Sequence, residues 1–412
     1  MRSFGIFDAE RVITMKEIKK RLVSSLLSSV LLINTISVPV MAEEENQVSV
    51  TENLSIEEIK EVIECFFTEY EKAFDLSNAN ANSYKNCFVK NKTSETNVNL
   101  ALIDAVLSQR ITSALNHIGG AIIKEENKKL LFDYSNIVIS NSSATIEVSV
   151  TKQFNYNICS DIESESQNLY SIELVKENAE WKILAIHGFL AEDIKTSLEE
   201  QGVDLENIAS INAYKNGILN NILINNSKLS HSGDNHEIGL ITRAASTYNA
   251  NGAATYANTY ALSPNPNYFN LESIGGDCTN FASQVLHEGG GIPMHYGASG
   301  YNTSWFYTSP SNRSTSWAGA QYLYDYMHSD YSKINWTASS WSSISNGDLI
   351  QVGTPTNIYH SMIVTGIVYS SSGRRDLLVT YRSSEGNHQK SILLSTRPSG
   401  ETRQYIHILG GK

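Results

Sequence analysis

The chain has 412 residues, enough for two globular cores, and its 41% hydrophobic and 18% charged content excludes a wholly disordered protein. Its net charge is −12, and the excess is uneven: residues 43–243 hold 16 basic and 31 acidic groups, whereas residues 244–412 hold nine of each. A chain this acidic, with no basic stripe, is not expected to bind nucleic acid. At the start, Met15-Lys16 and Lys19-Lys20-Arg21 form a basic region, Leu22 to Val40 is mostly apolar, and Val40-Met41-Ala42 is a small-residue cleavage pattern. Residues 1–42 therefore read as an export signal, with Met15 a candidate start. Serines at 24, 25, 28 and 29 interrupt a run already short for a span of about 20 apolar residues, so no stable membrane span is expected after its removal.

The next elements set out a first domain over 43–190. Ile56, Ile59, Ile63, Phe66, Phe67 and Tyr70 recur at helical spacing, and a second helix is expected near 98–118. The period then changes to two, with Ile137, Ile139, Ala144, Ile146, Val148 and Val150 alternating along strands that continue through 169–174 and 180–186. Helices followed by an antiparallel sheet ending in Trp181-Lys182-Ile183 resemble a small α+β cone of the NTF2-like kind, read here as an accessory module. Residues 191–240 are a helical segment and linker, the polar run from Asn225 to Glu237 being the best candidate linker.

The four cysteines of the mature chain are Cys65, Cys87, Cys159 and Cys278, and no C-x-x-C pair supports zinc or thioredoxin-type chemistry. Cys65 and Cys87 could pair in an oxidising exterior. Cys278 is alone in residues 241–412, and it follows Gly275-Gly276-Asp277 at the start of a helix whose Phe281, Ala282 and Val285 share its face. A thiol in a first helical turn is placed to ionise and to use the free backbone amides as an oxyanion site, which favours a nucleophile over a small buried cysteine. Asp277 beside it is a candidate substrate contact. Among the histidines of this region, His360 opens the strong strand signal Ser361-Met362-Ile363-Val364-Thr365-Gly366, where a ring is held rigidly yet can face a cleft. It is the candidate base. The aromatic-rich stretch between the two offers Trp305 and Tyr307 as groove residues that stack on substrate, while Tyr322 and Tyr326, four apart on a helix, read as core. No metal cluster, phosphate loop or dinucleotide fingerprint is present, so no metal or other cofactor is expected.

The strings GGDCTNFASQVLHEGG, SWFY, SWAGAQYLYDYM, NGDLIQV and HSMIVTG, over about 248–395, resemble the putative amidase domain family. That group belongs with the NlpC-like and CHAP-like papain-fold cysteine hydrolases, many of which act on peptidoglycan. The resemblance implies an α+β, papain-like catalytic domain, its cysteine helix packed on an antiparallel sheet that carries the histidine. It also implies Cys278 as nucleophile, His360 as base, and a secreted or cell-wall-associated protein cutting an amide in peptidoglycan stem peptides or at the stem–sugar link. A hairpin across Ser370 to Gly373 would set His360 opposite about position 383, where the family carries Tyr-His-Thr and this chain reads Tyr381-Arg382-Ser383-Ser384-Glu385. Arginine offers no acceptor to a histidine, which leaves Ser383, Glu385, a carbonyl or water as its orienting partner. Two rival readings stand beside hydrolysis: an inactive wall-binding module, and acyl transfer by the same pair to an amine.

Overall fold

Ile59, Ile63, Phe66, Phe67 and Tyr70 are all buried along helix α1 (Glu44–Ala73), as their spacing requires. The structure, a computed structural model, describes residues 44–74, 82–116, 125–228 and 248–412, apart from 371, 372, 374, 384, 385 and 399. The expected export signal, residues 229–237 of the expected linker, and Glu385 lie outside the described residues. The chain falls into two units, Met1–Ser55 and Ile56–Lys412, and all that follows concerns the second. After α1 come α2 (Ser94–Asn116) and a meander of long strands, β1 (Glu125–Ile139), β2 (Ser143–Tyr156), β3 (Cys159–Glu177) and β4 (Glu180–His187). Two helices follow, α3 (Glu192–Glu200) and α4 (Ile208–Lys228).

From residue 248 the chain forms α5 (Ala250–Tyr260), α6 (Cys278–Gln284), a small hairpin of β5 (Tyr307–Ser309) and β6 (Asn312–Arg313), α7 (Thr315–Ala318) and α8 (Ala320–Met327). Six strands complete it: β7 (Ile334–Ala338), β8 (Leu349–Thr354), β9 (Asn357–Tyr369), β10 (Arg375–Arg382), β11 (His388–Leu393) and β12 (Arg403–Gly411). The fold is α+β, with eight α-helices among the described residues and one large antiparallel sheet in the order β1-β2-β3-β11-β10-β9-β8-β12-β7, β4 pairing the other part of β3. The sheet is continuous across residue 190, because β11 adds to β3 through His388↔Gln167, Gln389↔Ser166 and Lys390↔Glu165.

Alternation along the strands gives this sheet two cores. Met362 and Val364 of β9 enter a core shared with α1, β2 and β3, whereas Ile363 packs with Phe281, Val285 and Leu286 beneath α6. Each such apolar side chain, fully buried, contributes about 1.5–3 kcal/mol relative to exposure. The cysteine helix is thus clamped on one face of β9 and β10, while the helices and meander of the first half cover the other. No helix among the described residues is long and apolar enough to cross a membrane.

Candidate active site

Two successive glycines in the left-handed region, Gly275 (φ +119°) and Gly276 (φ +103°), turn the chain sharply into α6, a path costly for any residue with a Cβ. Asp277 follows, buried, but its carboxylate does not cap the helix. Its Oδ1 accepts from the Leu271 amide at 3.0 Å and from Asn280 Nδ2 at 2.7 Å, and its Oδ2 from Arg382 Nε at 2.8 Å. With its oxygens so engaged, Asp277, expected as a substrate contact, braces the loop from within. Arg382 extends the brace: Nη1 donates to the Ala261 carbonyl at 2.9 Å, and Nη2 pairs with Glu272. Glu272 also meets His388 Nε2 at 2.6 Å and the Gly386 amide at 3.2 Å. Burial raises the Glu272 pKa, but His388 and Arg382 outweigh it and hold the carboxyl at about 2. Arg382 is therefore the keystone of the cysteine loop.

Cys278, half-buried at the first position of α6, has its Sγ 3.7 Å from Thr279 Oγ1 and in reach of the Ser361 backbone amide. Thr279 Oγ1 lies 3.0 Å from Ser361 Oγ, which ties the helix start to β9 beside His360. Burial pushes the Cys278 thiol up to about 11; the contacts with Thr279 and Ser361 lower it and the charges of Asp193 and Asp277 raise it. The expectation of a thiolate favoured by the helix end is thus overturned for the resting protein. The helix behind the thiol is short, its α-helical run of seven residues passing into a π-helical turn at Val285–Gly289.

His360 is 1% exposed and points to the opposite face of β9 from Ser361, edge-on to Tyr381 with ring centroids 4.7 Å apart. Its Nε2 makes no hydrogen bond among the described residues and lies 3.8 Å from Oδ2 of Asp193, on α3. Asp193 is itself buried, paired with Arg397 Nη1 at 2.8 Å through Oδ2 and accepting from Ser383 Oγ at 3.1 Å through Oδ1. Burial depresses the His360 pKa to about 4 against the pull of Asp193. Asp193 is raised by burial, but His360, Arg397 and Ser383 bring it down to about 2. Ser383 does stand opposite His360 when the observed pairing Thr380↔Ile363 is continued along β9 and β10. Its hydroxyl nevertheless turns to Asp193, so it supports the acid and does not orient the imidazole. Glu385, the other expected orienter, lies outside the described residues.

Residues 247–406 match the model of the putative amidase domain family. No curated protein matches the chain. The match points to an enzyme that hydrolyses an amide, and the amidase segment contains Cys278, Ser361, His360 and Ser383, whereas Asp193 lies before it. No local pattern could have singled out Asp193, which sits in the first turn of a short polar helix where an acidic residue is ordinary. Of the two expected groove residues, Trp305 is fully buried, with Nε1 donating to Ser283 Oγ at 3.0 Å on the cysteine helix, so it cannot stack on a ligand. Trp317 is buried beside it and donates to Asn280 Oδ1 at 2.9 Å. Tyr307 does line a groove of about 750 Å³ between segments 266–273 and 307–310, with Tyr268 and the half-exposed Phe269. Its hydroxyl accepts from the Phe269 amide at 2.9 Å, fixing the groove wall on the loop that leads to Cys278.

Proposed function

We propose that this protein is a cysteine-dependent amidohydrolase with Cys278 as nucleophile and His360 as general base. The observation that carries the reading is a half-buried thiol at a helix start, in reach of the amide of the residue after a buried, neutral histidine, within a segment matching an amidase family. Thiol and imidazole are both neutral at rest and no hydrogen bond joins them among the described residues, so the reading requires the ring to come within reach of Sγ when substrate binds. The proton then leaves sulfur for the ring as sulfur bonds to the substrate carbonyl carbon, whose π pair becomes the oxyanion. Collapse re-forms the carbonyl, breaks the C–N bond and passes the ring proton to the leaving amine. Water then enters by the same base and releases the acid and the thiol. The cysteine helix on an antiparallel sheet supports a papain-like reading of 247–406, and the helices and meander before it support an NTF2-like accessory reading. Peptidoglycan stem peptides, or the stem–sugar link, are the substrates we favour, and residues 1–42 favour an exported, wall-directed protein. The test is digestion of purified peptidoglycan by the wild type beside Cys278→Ala, with mass spectrometry of the soluble products. Fragments released by the wild type alone would support the reading and name the bond; equal release by both would end it.

A further inference from the structure

We infer that Asp193, supplied from outside the amidase segment, is the positioning carboxylate of His360, so that the first half of the chain completes the site. The inference rests on the proposed Cys278–His360 pair. Its ground is a mismatch between burial and satisfaction. His360 Nε2 is sealed from solvent yet has no hydrogen-bond partner among the described residues, and the acceptor it faces, Asp193 Oδ2, stands 3.8 Å away. A buried donor left unpaired in this way is destabilised, and a hydrogen bond forms once the gap closes below about 3.2 Å. Catalytic hydrogen bonds are often long before substrate binds and tighten as charge develops.

A purely structural role for Asp193 accounts for less of the geometry. Arg397 does not depend on it for neutralisation, because Glu401 already meets Arg397 through Nη2 at 2.5 Å and Nε at 3.1 Å. Arg403 in turn pairs with Glu401 at 2.9 Å, so Asp193, Arg397, Glu401 and Arg403 form an alternating chain with no net charge. The end of that chain turned toward β9 is a carboxylate, and the group it faces is the imidazole. Arg397 on one oxygen and Ser383 on the other fix its direction. Facing a carboxylate, Nε2 carries the ring proton, which leaves Nδ1 as the basic nitrogen of the ring. The imidazolium formed during attack is then stabilised by Asp193, while Asp193 keeps its own charge throughout. Tyr381, against the ring, is held neutral by burial and donates no competing charge.

The experiment measures kcat, KM and the pH profile of peptidoglycan fragment release for the full chain and for Asp193→Asn, Asp193→Glu, Ser383→Ala and Cys278→Ala. We expect Asp193→Asn to lower kcat about 10²-fold with KM changed less than about twofold, and Asp193→Glu to recover part of the loss. The acid limb of the kcat profile should move to lower pH in Asp193→Asn, because the carboxylate that favours the imidazolium is gone while Arg397 remains; a merely structural loss would not move it. Ser383→Ala, a milder change, should lower kcat about three- to tenfold and keeps the test decisive if Asp193→Asn does not fold. A kcat within twofold of wild type in Asp193→Asn, or in Ser383→Ala where Asp193→Asn does not fold, would overturn the assignment and leave the cysteine mechanism intact. Undiminished release by Cys278→Ala would instead remove the reading on which it rests.

Discussion

A thiol held near 11 and an imidazole held near 4 leave the proton on sulfur throughout the neutral range. Only about 10⁻⁴ of Cys278 is then thiolate at pH 7, and its alkylation by iodoacetamide should rise about tenfold per pH unit from 7 to 10. Site-resolved mass spectrometry would follow it; a plateau below pH 8.5 would show an ion pair in the free enzyme instead. The same depression of His360 makes acid destabilising. The unfolded chain takes up the proton near its ordinary value of about 6.5, the folded chain only near 4, so stability falls by about 1.4 kcal/mol per unit between those limits. Asp193 acts in the opposite range, since its lowered value keeps its contribution until the pH falls from about 4 toward 2. Urea unfolding of wild type and His360→Gln at pH 6.5 and 4.5 should show the smaller drop in the variant.

The loop into α6 shows which parts of the site the sequence reveals and which it hides. The glycine pair, the cysteine at a helix start and the strand signal that follows His360 are local patterns, and each took the expected form. Asp277, Arg382 and Asp193 act through partners about a hundred or more residues away, and a pairing over that distance leaves no trace in composition or period. Arg382 looked like a flaw in the histidine's support; its side chain is buried because three acceptors from the loop around Cys278 meet its three nitrogens. Trp305 misled in the other sense. A tryptophan in a long loop reads as a ligand platform, but its indole N–H found Ser283, and with that donor satisfied the ring could be buried whole. Tyr326 is core as expected, while Tyr322, one turn earlier on α8, remains half-exposed. Arg382→Met should destabilise the protein by about 3–5 kcal/mol, since it strands the Asp277 and Glu272 carboxylates in the interior. Denaturant titration would check this, and a loss below 1 kcal/mol would contradict the keystone role.

Across the whole of residues 56–412 the compositional contrast between an acidic first half and a neutral second half is not matched by a break in structure. The β3–β11 seam carries the sheet through, Ser164 Oγ donates to the Ser391 carbonyl at 2.8 Å across it, and one apolar core runs from Ile59 to Leu394. Shared burial of this kind couples the halves, so calorimetry should give a single transition whose van't Hoff and calorimetric enthalpies agree. Two resolved transitions would show that the seam carries little energy. Cys65, exposed, and Cys87, buried in this core, are free thiols with their sulfurs 3.8 Å apart.

The two buried indoles have a further use. Trp305 and Trp317 each hydrogen-bond a side chain of the helix that carries Cys278, and their rings stand 5.0 Å apart. Emission from this pair, over the background of Trp181, Trp336 and Trp341, is therefore expected to change when the thiol is acylated, a signal that needs no added dye.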